Sequence, residues 1–130
     1  MYKILGWINI TLLVLILGQF LLNYTNRKLI KTDNKMFKKI QKLFKTIHKP
    51  LGLALAVLGP IHGYMALGGF RLHTGSLFYL SLVITATLGG SFYRLRKKVL
   101  FLWHKRIAGL TVLLLLLHIF FPDALGYILN

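Results

Sequence analysis

Cysteine is absent from the 130 residues, and acidic side chains number only two, Asp33 and Asp123. Without cysteine there can be no disulfide, no Cys-ligated zinc, no iron–sulfur cluster and no thioether-attached haem. Neither carboxylate falls within a long apolar run, so the intramembrane acids usual in proton pathways are missing as well. What the chain has in quantity is apolar and basic: 56% hydrophobic residues and 17 Lys+Arg. A soluble domain of this length cannot bury so large an apolar fraction, and the mean hydropathy of +0.67 names lipid as the solvent.

Four apolar stretches have the length that a bilayer crossing needs, about 17–25 helical residues. They are residues 4–22, 51–69, 76–93 and 100–121. Pro122 with Asp123 stops the fourth, because proline cannot continue the helical hydrogen-bond ladder. Tyr2, Trp7, Tyr24, Tyr64, Tyr93 and Trp103 stand near the ends of these stretches, as interfacial aromatics do. The basic residues lie between the stretches, which argues against nucleic acid as the partner and for orientation in a membrane. Nine fall from Arg27 to Lys49; six more are Arg94, Arg96, Lys97, Lys98, Lys105 and Arg106; only Lys3 and Arg71 fall on the other side. The expected fold is therefore all-α and integral to the membrane. It is a single-domain bundle of four transmembrane helices, with both termini outside and both basic loops cytoplasmic. The first stretch carries one basic residue before it and no small-residue cleavage site after it, so it is expected to remain as an anchor. A bacterial or archaeal cytoplasmic membrane is the expected location.

In the first basic loop Met36, Phe37, Ile40, Leu43, Phe44 and Ile47 recur at helical spacing, with Lys38, Lys39, Lys42 and Lys45 between them. Residues 36–48 are thus expected to form an amphipathic helix on the anionic inner leaflet, with Pro50 marking a bend or kink into the second span.

Four of the five histidines are placed regularly. His48 and His62 are fourteen residues apart, and so are His104 and His118. Fourteen helical steps return to within about 40° of the same face with a rise of ~21 Å. The second and fourth spans run in the same direction, so His48 is expected level with His104, and His62 level with His118. Two imidazoles facing each other at one depth are what a six-coordinate haem iron takes from its protein, and two levels make two haems. Between His48 and His62 the same face carries Gly52, Leu55 and Gly59, where missing side chains leave room for a flat macrocycle; Ala108 and Thr111 are the small residues on the fourth span. Lys49, Lys105 and Arg106 follow the inner histidines and are placed to pair with haem propionates, as is Arg71 on the outer side. His73, beside Arg71, has no partner at the fourteen-residue spacing and is expected as an exposed loop residue. Gly63, Gly89 and Gly90 are expected to serve close helix packing.

Two membrane helices, each carrying His-x13-His, resemble the di-haem b-type cytochromes. These include the cytochrome b subunits of quinol–cytochrome c oxidoreductases and the ferric-reductase-like transmembrane cores. The resemblance covers about His48 to His118, and these four histidines match the family's axial ligands. It implies two b haems as cofactors, a quinone as a further redox partner, and other subunits of an oxidoreductase complex. Many relatives have six or eight helices and a flavin or nicotinamide domain. This chain has four apolar stretches, which fits an electron-transfer subunit better than a self-contained enzyme. Two readings of other classes compete: a transporter or channel subunit with a histidine proton relay, and a structural membrane anchor. The first lacks the intramembrane carboxylates usual in proton pathways, and the second gives no reason for the doubled spacing.

Overall fold

A computed structural model of the chain describes residues 1–129. Helix α1 (Tyr2–Thr25) runs into one π turn (Asn26–Ile30), and α2 (Lys35–Leu67), α3 (Thr74–Leu95), α4 (Lys98–Phe120) and the short α5 (Ala124–Leu129) follow. Among the described residues there is no strand. Helices α1 to α4 are each long and apolar enough to cross a membrane.

The burial pattern is inverted relative to a water-soluble protein. Among the described residues the buried side chains are three leucines (Leu13, Leu55, Leu82) and four hydroxyl residues (Thr74, Ser81, Thr85, Thr111), whereas large apolar side chains along every long helix point outward. Such a surface is stable only against hydrocarbon or a protein partner.

The chain divides into two compact units, residues 1–58 and 59–130. In the first, α1 and the beginning of α2 pair antiparallel. Gln41 Nε2 donates to Asn23 Oδ1 at 3.1 Å, the Phe44 ring lies against Gly18, and His48 Nδ1 lies 3.2 Å from the Ile16 carbonyl. The connection is closed by Asn26, whose side chain accepts from Thr32 N–H at 2.9 Å and donates to the Thr32 carbonyl at 3.3 Å. Asn34 Oδ1 then accepts from Met36 N–H at 2.9 Å, capping the start of α2.

The segment 36–48, expected as a separate surface helix, is the first part of α2, and helical structure continues through both Pro50 and Pro60. Each proline deletes one N–H from the ladder, but leaving the helix in an apolar medium would strand several backbone groups. The apolar positions of this segment divide between two surroundings. Phe37, Phe44 and Ile47 are half-buried, whereas Met36, Ile40 and Leu43 are exposed alongside Lys38, Lys39, Lys42 and Lys45. At 33 residues, α2 amounts to ~50 Å of helix against a hydrocarbon core of about 30 Å.

In the second unit α3 and α4 form an antiparallel hairpin. Two residues join them, and Arg96 turns the corner in the left-handed conformation at φ 55°. Its centre is polar: Ser81 Oγ and Thr111 Oγ1 are 2.7 Å apart, and Thr85 Oγ1 is 3.0 Å from Thr111 Oγ1. Thr111 donates its own proton to the Ile107 carbonyl at 2.8 Å and so acts as acceptor toward α3. Interhelical hydroxyl pairs of this kind hold helices together where the hydrophobic effect offers nothing.

Candidate histidine site

Helix α4 presents His104, Thr111 and His118 at seven-residue steps, about 20° apart around the axis, so the three share one face. That face is turned to α3. Thr111, expected to give clearance to a macrocycle, is instead locked into the hydroxyl network with Ser81 and Thr85. On either side of it the imidazoles of His104 and His118 are seated on glycines. A Cβ at Gly89 would lie 2.9 Å from His104 Cε1, and one at Gly75 would lie 3.0 Å from His118 Cε1. These two glycines are fourteen residues apart, the same interval as the histidines they receive.

Each seated ring is also held through Nδ1. His104 Nδ1 is 2.8 Å from the Thr85 carbonyl, and in the first unit His48 Nδ1 is 3.2 Å from the Ile16 carbonyl. A carbonyl can only accept, so both rings carry their proton on Nδ1. His118 reaches the same state by another route. Its Nδ1 is 3.1 Å from Thr74 Oγ1, and Thr74 Oγ1 is 2.7 Å from the Pro122 carbonyl. The single hydroxyl proton goes to Pro122, which leaves Thr74 as the acceptor and His118 Nδ1–H as the donor. In the neutral ring, all three arrangements put the lone pair on Nε2. A ligating histidine is commonly oriented in this way, by a second-shell acceptor that fixes tautomer and ring direction.

His62 is half-buried on α2 and lies within electrostatic reach of His118, as His73 does. Among the described residues no three His, Asp or Glu side chains gather into a metal-binding group. Any metal bound by these histidines would therefore take at most two of them, with the remaining ligands supplied from elsewhere.

His73 differs from expectation. Its side chain is only 19% exposed, and its Nδ1 accepts from Gly75 N–H at 3.4 Å, which caps the start of α3. With Nδ1 accepting, Nε2–H points to Asp123 Oδ1 at 3.4 Å, and the ring meets His118 edge-on at 5.7 Å between centroids. The signal for this role was the His-Thr-Gly-Ser run before an apolar stretch, a polar residue at a helix start.

The remaining candidates are distributed as follows. A Cβ at Gly59 would meet the Tyr79 ring at 3.2 Å, so this glycine admits an aromatic side chain from α3. At Gly52, Gly63 and Gly90 a Cβ would meet no atom within 4 Å among the described residues, so close packing explains Gly59 and Gly89 but not Gly63 or Gly90. Lys105 and Arg106 are exposed and lie over aromatic rings of their own helix, Phe101 at 4.9 Å and Trp103 at 5.4 Å. Lys49 and Arg71 are exposed, and the Arg71 carbonyl accepts from Ser76 Oγ at 2.8 Å. Neither protein-family models, curated proteins nor solved structures provide a match to this chain.

Proposed function

We propose that this chain is a small di-haem cytochrome b subunit. It carries electrons across a membrane between a quinol or cytoplasmic donor and a redox partner on the other side, within a larger oxidoreductase complex. The observation that carries this reading is the common state of His48, His104 and His118, each held at Nδ1 with Nε2 left as the electron-pair donor. A haem ligand needs its coordinating nitrogen free of a proton, and an acceptor at Nδ1 favours that state.

In this reading His48 and His104 hold one b haem, and His62 and His118 hold the other. The residues fit such a group in their donor chemistry: imidazoles, a small neighbour at Gly52, and cations near the ends of the long helices at Lys49, Lys105, Arg106 and Arg71 for the propionates. Haem bound by two histidines supplies one-electron redox chemistry without an open iron position for oxygen. The protein's part is to orient and insulate. The Ile16 and Thr85 carbonyls and the Thr74 hydroxyl fix the imidazoles, and Gly75 and Gly89 let two of them sit against α3. The outward apolar surface keeps water and ions away from the path.

The basic loops between the first and second, and the third and fourth, spans face the cytoplasm in this reading, with both termini outside. Lys38, Lys39, Lys42 and Lys45 then reach the anionic inner leaflet. A charge that crosses the whole membrane potential exchanges ~2.3 kcal/mol per 100 mV, so outward electron flow is favoured by a negative interior.

The test is a dithionite-reduced minus oxidised spectrum of the purified chain, with haem counted by pyridine haemochrome. About two b haems per chain are expected, and His62→Ala and His118→Ala are each expected to remove the same one. Protein without haem, from cells able to supply it, would end this reading. Loss of different haems from the two variants would end the pairing.

A further inference from the structure

The three oriented imidazoles are not held in equivalent ways. His48 and His104 donate to main-chain carbonyls, Ile16 and Thr85, which no side-chain substitution at the acceptor can remove. His118 donates to a side chain, the hydroxyl of Thr74. Thr74 is fully buried, is the first residue of α3, and follows His73, which caps that helix. Its proton is committed to Pro122, immediately beyond α4, so one hydroxyl group ties the start of α3 to the far end of its partner helix.

We infer that Thr74 is the positioning residue for His118: it sets the tautomer that makes Nε2 a ligand, and through it that ligand can be tuned separately from His48 and His104. A neutral histidine left to itself holds its proton mainly on Nε2, where it blocks coordination. An acceptor at Nδ1 reverses the preference, and the seat on Gly75 holds the ring where that acceptor can be reached. With a hydrophobic isostere such as valine at position 74, Nδ1–H and the Pro122 carbonyl both lose their partner. The proton then returns to Nε2 or the ring rotates out of its seat. Serine preserves both bonds.

This deepens the haem reading, but its first test does not depend on it. In haem-free, full-length protein in detergent micelles, 15N NMR of the His118 ring is expected to report Nδ1–H in the unaltered chain and in Thr74→Ser. In Thr74→Val, Nε2–H or a mixture is expected. An unchanged Nδ1–H tautomer in Thr74→Val would overturn the inference.

The second test uses the haem-loaded chain. Thr74→Val is expected to weaken the haem held through His118 by 10–100-fold, the usual effect of losing an outer partner of a ligating histidine. Where that haem is retained, its midpoint potential rises, because the imidazole loses the bond that made it more electron-rich. The other haem stays bound at its original potential, which also shows that the variant has folded. Thr74→Ser restores both haems. Equal loss of both haems in Thr74→Val, or no rescue by serine, would show a structural role only. A chain that binds no haem but shows the tautomer change would sink the cytochrome reading and leave the role of Thr74 intact.

Discussion

Gly89→Ala adds a single methyl group at the seat of His104, and its consequence can be worked from the contacts. The new Cβ would lie 2.9 Å from Cε1 and 3.0 Å from Nδ1 of the imidazole, where ordinary contact begins at 3.4 Å. The obstacle is a rigid ring already fixed by a 2.8 Å bond to the Thr85 carbonyl, so the ring must retreat by about 0.5 Å or the helices must separate. Overpacking of this kind costs about 1–3 kcal/mol. Stretching the Nδ1 bond forfeits a further part of the ~0.5–1.5 kcal/mol that such a bond contributes. The neighbouring glycine provides an internal control. A Cβ at Gly90 meets nothing within 4 Å, so Gly90→Ala gains about 0.5–1 kcal/mol from better helix propensity. Two adjacent substitutions with identical chemistry therefore differ in sign. Unfolding of each variant by SDS in mixed dodecyl maltoside micelles measures the difference directly. Equal stability of Gly89→Ala and Gly90→Ala would refute the seat as described and remove the reason for glycine at position 89.

Thr111→Val takes away the acceptor of Ser81 Oγ–H, the Thr85 proton being given to the Ser81 carbonyl, and is expected to destabilise the α3–α4 hairpin by about 1–3 kcal/mol in the same assay. A change below about 0.5 kcal/mol would mean that the Ser81 hydroxyl finds another partner. Trypsin added to sealed vesicles is expected to cut within Lys38–Lys45 from the cytoplasmic side alone. Cleavage there from the outer side of intact cells would sink the orientation and, with it, the level pairing of the histidines.

The long apolar runs made four helices of membrane-crossing length legible, because a run of that length has few other uses. The doubled His-x13-His spacing was equally visible. The partner of that spacing was harder to see. Gly75 and Gly89 repeat the interval of fourteen on α3, but a glycine announces its role only when the register of two helices is known. Thr111 was misassigned for a related reason: a small residue on the histidine face serves clearance or hydrogen bonding according to which neighbour that face meets. Helical structure continues through Pro50, where a bend or kink was expected, because proline removes only one bond from the ladder. His73 does lie in the link before α3, but its side chain is half-buried rather than exposed, and its part as a helix cap was overlooked.

The two-residue link between α3 and α4 has a consequence for the order of assembly. Thr85 and His104 are nineteen residues apart in sequence, whereas Thr74 and His118 are separated by forty-four. A hairpin that zips outward from its turn therefore closes the first of these contacts early and the second late, along one register and without any distant encounter. Chains dominated by such short-range contacts complete their folding in microseconds to milliseconds. The histidines of α4 are thus lodged by contacts within the hairpin itself, so their rings are aimed by α3.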